Sequence, residues 1–229
     1  MEALRSPTLK KWWPSTQSLD LVEGAAQAVA DALASELSRI LRGEVVLRAD
    51  KNCSDLDSAF SEASEFANVP TTFVVVPTKS RWSVVWTNCY LCDGYDALCH
   101  CLTLNHGLTT LHWHAHDEMT TFQPSAAFVH RSLSAGAIVE RAVSCSVNDG
   151  HWSFFALGPP LVEEDLRQYE AKAKRDRLNE SILLGLLARL GASPWAETFY
   201  ELPGTCHVFR RGSPPASVQR RPTSAVCGS

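Results

Sequence analysis

The chain has 229 residues, of which 45% are hydrophobic and 20% are charged, and its formal net charge is −4 at pH 7. These values are ordinary for a globular protein with one large domain or two small fused domains. The small negative charge excludes a general basic field for nucleic acid. Because the sequence has no apolar signal segment and no run of about 18 apolar residues, we expect a cytoplasmic protein without a membrane partner.

Residues 1–71 are predicted to form a helix-rich N-terminal segment. Between residues 18 and 42, apolar side chains recur at steps of three and four residues, which predicts an amphipathic helix. Ser18 or Asp20 is placed to cap the start of this helix, and Gly43 is a natural end.

Two shorter elements follow in the same segment. Weak alternation of apolar and polar residues predicts a short strand at residues 44–49. A second helix is predicted at residues 55–67, because the proline at position 70 forces the chain out of helical geometry just beyond it. Three apolar side chains of this helix are expected to face inward: Leu56, Phe60 and Ala63.

Residues 72–136 are predicted to form a first α+β unit. Two apolar runs rich in β-branched and aromatic residues flank a polar turn, which is typical of a β-hairpin. A helix and two more strands complete the unit. The predicted elements are strands at 73–76 and 82–86, a helix at 93–104, and strands at 108–116 and 121–131.

Residues 137–212 are predicted to form a second unit with the same order of elements. The sequence Asn148-Asp149-Gly150 is a strong hairpin signal between two strand-like runs. A long helix with a charged first part and an apolar second part follows. The predicted elements are strands at 143–147 and 151–155, a helix at 163–190 that ends at Gly191, and a strand at 203–210.

The two units contain matching segments. Trp82 and Trp152 each precede a serine in the second strand of a hairpin, and residues 203–210 match residues 124–131 in length and at three positions. We therefore predict an α+β fold in which an antiparallel sheet is built from two similar strand–strand–helix–strand halves. Chance similarity between two ordinary α+β segments is the alternative. Residues 213–229, rich in Pro, Ser and Arg, are predicted to be a disordered tail.

The eight cysteines include four that lie between positions 89 and 101. Their spacing resembles that of zinc ligands, which must converge on one tetrahedral site. Cys99 and Cys101 lie in the predicted helix, where side chains two positions apart point about 200° away from each other. We therefore expect thiols packed in the core, with no disulfide and no zinc. A structural zinc protein and a redox protein are the alternatives.

Three histidines at alternate positions, His112, His114 and His116, share one face of a predicted strand. With Asp117 they resemble the metallo-β-lactamase ligand motif His-x-His-x-Asp-His, but the order of the last two residues is reversed and the glycine-rich parallel context is missing. A small metal-dependent hydrolase that uses these four residues is one hypothesis. A polar sheet face, or a face that binds a partner, is the other.

The segment from Cys92 to Asp96 joins the first hairpin to the predicted helix. Asp93 is placed to cap that helix. A nucleophilic Cys92, activated by the helix N-terminus, and an exposed recognition loop are the alternatives.

The hairpin segment Ser-Arg-Trp-Ser-Val-Val-Trp-Thr-Asn at residues 80–88 is similar to hairpins in immunity proteins of bacterial polymorphic toxin systems. The resemblance covers residues 72–131, with a possible repeat to residue 210, and rests on pattern rather than on an invariant motif. It implies a protein without enzymatic activity, whose partner is a cognate protein toxin and whose exposed loops block the toxin active site. No binding residue can be transferred from the family, because these surfaces vary with the toxin.

We therefore expect a cytoplasmic protein-binding module of the immunity type, with no cofactor and no bound metal. Its partner-binding surface is predicted to combine the loop from Cys92 to Asp96 with the histidine strand. This surface is expected to be solvent-exposed, because exposed imidazoles and carboxylates can provide hydrogen bonds and charge complementarity to a partner. The predicted binding residues are Asp93, Tyr95, Asp96, His112, His114, His116, Asp117 and Glu118.

Overall fold

The computed structural model describes residue 11 and residues 18–41, 45–63, 71–89, 95–116 and 124–212. Nine strands in this part of the chain form a single sheet in which all neighbours are antiparallel. The strands are β1 (Ser18–Glu23), β2 (Val45–Cys53), β3 (Thr72–Val76), β4 (Trp82–Thr87), β5 (Thr110–His116), β6 (Ser125–Ser134), β7 (Ala137–Asn148), β8 (His151–Leu157) and β9 (Gly204–Gly212). Their order across the sheet is β2-β9-β3-β4-β1-β5-β6-β7-β8.

Four α-helices of the described residues cover the two faces of the sheet. They are α1 (Ala26–Ile40), α2 (Leu56–Ser61), α3 (Tyr95–His106) and α4 (Glu180–Arg189). Helices α1 and α3 pack on one face, called here the α1 face, and α2 and α4 pack on the other, called the α4 face. Each face has its own buried apolar cluster, so the predicted α+β class with an antiparallel sheet is confirmed. None of the described helices is both long and apolar enough to cross a membrane.

The predicted helix at residues 18–42 is wrong in its first part. Residues 18–23 form strand β1, which lies between β4 and β5 in the middle of the sheet. Leu21 faces the α4 cluster and Val22 faces the α1 cluster, so both faces of the strand are buried. Apolar residues on both faces give a pattern that also fits a helix. Gly24, at a φ of 147°, separates β1 from α1.

Several local predictions are confirmed. The helix predicted at residues 55–67 is present as the shorter α2, with Leu56, Phe60 and, just beyond its end, Ala63 buried as expected; residues 64–67 lie outside the described residues. Asp55, whose role was not predicted, accepts a hydrogen bond from the backbone N–H of Ser58 and caps α2. Strands β7 and β8 form a hairpin whose turn residue Asp149 has a φ of 49°. The remaining predicted strands lie at the expected places, with shifted ends.

The predicted long helix at residues 163–190 is wrong in its charged first part, whereas its apolar second part is confirmed as α4, in which Leu183, Leu186 and Leu187 are buried. Two 3₁₀ helices, Leu166–Glu170 and Lys174–Asp176, precede α4. Asn179 accepts a hydrogen bond from the backbone N–H of Ile182 and begins α4 there. The charged run at residues 170–177, which precedes α4, offers no apolar stripe that could pack a helix against the sheet.

The strand order does not support two equivalent halves. After β4, α3 leads to β5, which lies one strand away across β1, whereas after β8, α4 leads to β9 near the opposite edge of the sheet. Trp82 is 1% exposed in the internal strand β4, and Trp152 is partly buried in the edge strand β8. Strands β1 and β2 of the N-terminal segment belong to the same sheet as both units. The predicted tail at residues 213–229 lies outside the described residues.

Candidate protein-binding surface

The predicted binding residues fall into three groups in the structure. Asp93, Asp117 and Glu118 lie outside the described residues, and for Tyr95 and His116 only the backbone is described. The side chains that can be placed are those of Asp96 in the first turn of α3, and of His112 and His114 on β5.

His112 is buried, so the expectation that it is exposed was wrong. It lies directly opposite Asp20 on the neighbouring strand β1, and its Nδ1 donates a hydrogen bond to Asp20 Oδ1 at 2.7 Å. Helix α3 packs over this position, and His112 is only 8% exposed. A charged partner on the adjacent strand compensates the burial of the imidazole.

The thiol of Cys99, on α3, is buried and lies close to Asp20. Burial and the adjacent carboxylate of Asp20 raise the pKa of the Cys99 thiol well above its usual value. For His112, burial lowers the pKa, but the charge and the hydrogen bond of Asp20 outweigh it and raise the pKa overall. Because its pKa is raised, the Cys99 thiol stays protonated at neutral pH and does not supply a thiolate nucleophile.

Arg131 on β6 connects the first turn of α3 to the sheet. Its Nη2 lies 2.6 Å from Asp96 Oδ1, and its Nε donates to Glu140 Oε2 on β7 at 2.7 Å. Arg131 is buried, whereas Asp96 is exposed and keeps contact with solvent. Asp96 and His112, which were predicted to belong to one surface, thus lie in one charged cluster, with Arg131 and Asp20 as their partners.

No group of three or more His, Cys, Asp or Glu side chains within the described residues is arranged to hold a metal ion. The His114 ring, whose Nε2 is 3.0 Å from Ser125 Oγ, has its centroid 6.1 Å from that of His112. His116 and Asp117, which the hydrolase hypothesis also requires, are not placed as side chains. That hypothesis therefore stays a prediction.

The cysteines of α3 point apart, as their spacing predicted. Cys99 lies against Asp20 on β1, while Cys101 accepts a hydrogen bond from Arg39 Nη2 on α1 at 3.0 Å. Six cysteines of the described residues are free thiols, and five of these are buried. Cys92 lies outside the described residues.

A second part of this surface, which no sequence motif indicated, lies on β8. Two cross-strand rows run from the histidines to the sheet edge: His112–Val129–Ala142–Leu157 and His114–Ala127–Ser144–Phe155. Phe155 is 54% exposed and Leu157 is 52% exposed, both on the α1 face. We call Val129, Ala142, Ser144, Phe155 and Leu157 the β8 surface.

Small side chains make the β8 surface shallow between its two large apolar residues and the histidines. Ala142 and Ser144 on β7 separate Phe155 and Leu157 from β6, and both are half-buried. The available sequence signal was the absence of charge in β8, but the exposure of Phe155 follows from the position of β8 at the edge of the sheet.

Comparisons with protein-family models, with curated proteins and with solved structures found no match to this chain.

Proposed function

We propose that the chain is a protein-binding module, an immunity protein that binds and neutralises a cognate protein toxin. The observation that carries the proposal is the β8 surface, where Phe155 and Leu157 are each more than half exposed side by side on one face of the sheet. Contiguous exposed apolar side chains mark interaction sites in soluble proteins. The similarity of residues 80–88 to hairpins of immunity proteins supports the choice of partner.

The surroundings of the β8 surface suit a protein interface. Its apolar residues continue into polar groups, with Ser144 in the middle and His114 at the end of the same row. An apolar centre with a polar rim is the usual arrangement of protein–protein interfaces. The partner would therefore cover Phe155 and Leu157 and form hydrogen bonds with the imidazole side.

The buried charged cluster gives this surface a rigid support. Asp20 holds His112 on β5, and Arg131 holds Asp96 of α3 while it also contacts Glu140 on β7. Strands β5, β6 and β7 all contribute to the rows that end at β8. A surface fixed before binding loses little conformational entropy when the partner docks.

The proposal expects a toxin domain to be encoded beside the gene for this chain, so the first test is to look for one; its absence would count against the proposal. We expect the chain to protect cells that express this domain and to bind the purified domain in calorimetry. Phe155→Lys introduces a charge into the β8 surface and is expected to weaken binding by about tenfold or more. The matched control is Leu47→Lys, since Leu47 is 60% exposed on the opposite edge strand β2. A chain that neither binds nor protects contradicts the proposal.

The small metal-dependent hydrolase is the competing hypothesis. Its support is the bond between His112 and Asp20, because a carboxylate often orients a histidine that ligates a metal through its other nitrogen. Elemental analysis of protein purified without chelator decides between the two. A stoichiometric metal that is lost in His114→Ala or His116→Ala supports the hydrolase. Toxin binding by metal-free protein supports the immunity protein.

A further inference from the structure

The two edge strands of the sheet differ in chemistry. Edge strand β2 contains Arg48, Asp50 and Lys51, all exposed, and charges on an edge prevent pairing with another chain. Edge strand β8 contains no Asp, Glu, Lys or Arg. Within the described residues, no strand pairs with its outer side, so its peptide groups are available to a further strand.

A turn on the α4 face beside β8 carries a local excess of basic residues. The turn that crosses this face contains Lys172, Lys174, Arg175 and Arg177, and we call these four side chains the basic turn. Lys172, Lys174 and Arg175 are exposed. Two acidic residues lie in the same stretch: Asp176, which is 3.7 Å from Arg175, and Glu170, which is exposed two positions before Lys172. The chain as a whole has a net charge of −4, so this local excess of positive charge departs from the rest of the molecule.

Two contacts fix the basic turn against β7 and β8. Cys145 Sγ donates to the carbonyl oxygen of Lys174 at 3.1 Å, and Arg177 Cζ lies 5.5 Å from the ring centroid of Phe154. Cys145 and Phe154 are opposite each other on β7 and β8. The basic side chains therefore lie on the α4 face next to the free edge, while Phe155 and Leu157 lie on the α1 face of the same strand.

We propose that β8 binds an extended segment of the partner protein as a tenth strand, and that this segment alternates apolar and acidic side chains. The inference rests on the proposed function and specifies the partner's chemistry. The apolar side chains would pack beside Phe155 and Leu157, and the acidic ones would face the basic turn. Alternation is required because successive side chains of a strand point to opposite faces.

A second copy of this chain fits the edge less well. Two β8 strands paired about a two-fold axis perpendicular to the sheet would have their α4 faces on the same side. Both basic turns would then lie on that side, and β8 offers no carboxylate to offset the basic excess left beyond Asp176 in each turn. An acidic segment of another protein removes this repulsion, whereas self-pairing creates it.

The probes are three synthetic octapeptides. One alternates valine and glutamate, one alternates valine and lysine, and one has the composition of the first with four valines followed by four glutamates. We expect the alternating valine–glutamate peptide to bind at least about tenfold more tightly than either of the others. The charge-reversed variant Lys174→Glu/Arg175→Glu should reverse the preference between the first two. Equal binding of all three peptides, or none by the first, overturns the proposal.

Amide hydrogen exchange then locates the added strand. In the presence of the valine–glutamate peptide, amides of β8 should exchange at least about tenfold more slowly, and those of β2 should not change. Phe155→Lys should abolish this protection and Leu47→Lys should preserve it. Protection at β2 instead, or sedimentation as a dimer that depends on β8, overturns the choice of site or of occupant.

The same exchange measurement separates this inference from the proposed function. If the toxin domain binds but leaves exchange in β8 unchanged, strand addition is wrong and the immunity function stands. If β8 is protected by the peptide but the chain does not neutralise the toxin domain, strand addition stands and the immunity function is wrong.

Discussion

Asp20 and His112 are direct cross-strand neighbours on β1 and β5, and the carboxylate accepts a hydrogen bond from the imidazole at 2.7 Å. Both side chains are buried beneath α3. The pair joins two central strands at a place where the thiol of Cys99 also lies against the carboxylate. The pair therefore lies in the interface between the sheet and α3.

The first prediction concerns the pH dependence of this contact. The pKa of His112 is raised in the folded protein above the unfolded value of about 6.5. The protonated imidazole therefore stabilises the fold fully below that pH, and this contribution is lost as the pH rises through the folded pKa. Asp20→Asn should lower the free energy of unfolding by about 1–3 kcal/mol near pH 6, because the buried imidazole loses its counter-charge and must either be desolvated as a cation or release its proton.

The measurement is urea denaturation of the wild type and Asp20→Asn at several pH values from about 5.5 to 8.5. The difference in unfolding free energy should shrink as the pH rises. Asp31→Asn is the control: Asp31 is an exposed carboxylate on α1 that pairs with Arg48, and such surface pairs contribute little. A difference for Asp20→Asn that does not vary with pH contradicts the role assigned to His112.

The second prediction concerns the two tryptophans that the sequence matched. Trp82 is 1% exposed and its Nε1 donates to the carbonyl oxygen of Leu190 at 3.0 Å, whereas Trp152 is only partly buried at the sheet edge. Trp82→Ala should lower the free energy of unfolding by about 3–5 kcal/mol, because it leaves a large cavity. Trp152→Ala should cost clearly less. Equal losses in urea denaturation would show that the two positions are equivalent after all.

The local elements of the fold were predictable where a short segment carries its own signal. Asn148-Asp149-Gly150 specifies a tight turn because its residues tolerate positive φ, and the spacing of Leu56 and Phe60 indicated the buried face of α2. Strand β1 was not predictable in this way. His112, the partner of Asp20, lies 92 positions away along the chain. The residues next to Asp20 therefore suggested that it caps a helix instead.

The candidate surface was predictable only in part. The alternation of His112 and His114 correctly indicated one face of a strand, but the burial of His112 depends on α3, which packs over it only in the folded chain. Phe155 and Leu157 are exposed because β8 is the last strand of the sheet. Strand order is a property of the whole fold, and an uncharged apolar run has the same pattern in a central strand.

The third prediction concerns the buried ion pair between Arg141 on β7 and Glu164. The guanidinium donates to both carboxylate oxygens, at 2.9 and 2.7 Å, and Glu164 also accepts from Tyr169 and from the backbone N–H of Leu161. Although burial alone raises the pKa of Glu164, these hydrogen bonds lower it overall. Glu164→Gln should lower the free energy of unfolding by about 3–5 kcal/mol, because Arg141 stays buried without a counter-charge.

The pH dependence gives an independent check of this pair. Because its folded pKa is lowered, ionised Glu164 stabilises the fold above its unfolded pKa of about 4.3, and this contribution is lost as the pH falls through the folded value. The wild type and Glu164→Gln should therefore converge in stability in acid. The double variant Arg141→Met/Glu164→Leu should be more stable than Glu164→Gln alone. A double variant that is less stable contradicts this account.

The last prediction concerns Gly158, which directly follows β8. Its φ is 79°, and a Cβ atom at this position would lie 1.9 Å from the carbonyl oxygen of Glu140. Its own carbonyl oxygen accepts a hydrogen bond from Arg141 Nη1 at 2.9 Å. The backbones of β7 and of the segment after β8 thus approach so closely that only glycine fits.

Gly150 in the turn between β7 and β8 is the matched control, because its φ is 76° but a Cβ atom there would have no neighbour within 4 Å. Gly150→Ala should cost about 1 kcal/mol from backbone conformation alone. Gly158→Ala should cost about 2–4 kcal/mol, because the contact with Glu140 adds to the same conformational cost. Urea denaturation measures both. Because the clash displaces the end of β8, Gly158→Ala should also weaken binding of the valine–glutamate peptide, whereas Gly150→Ala should not. Equal effects of the two substitutions on stability and on binding would contradict the close approach of the two backbones.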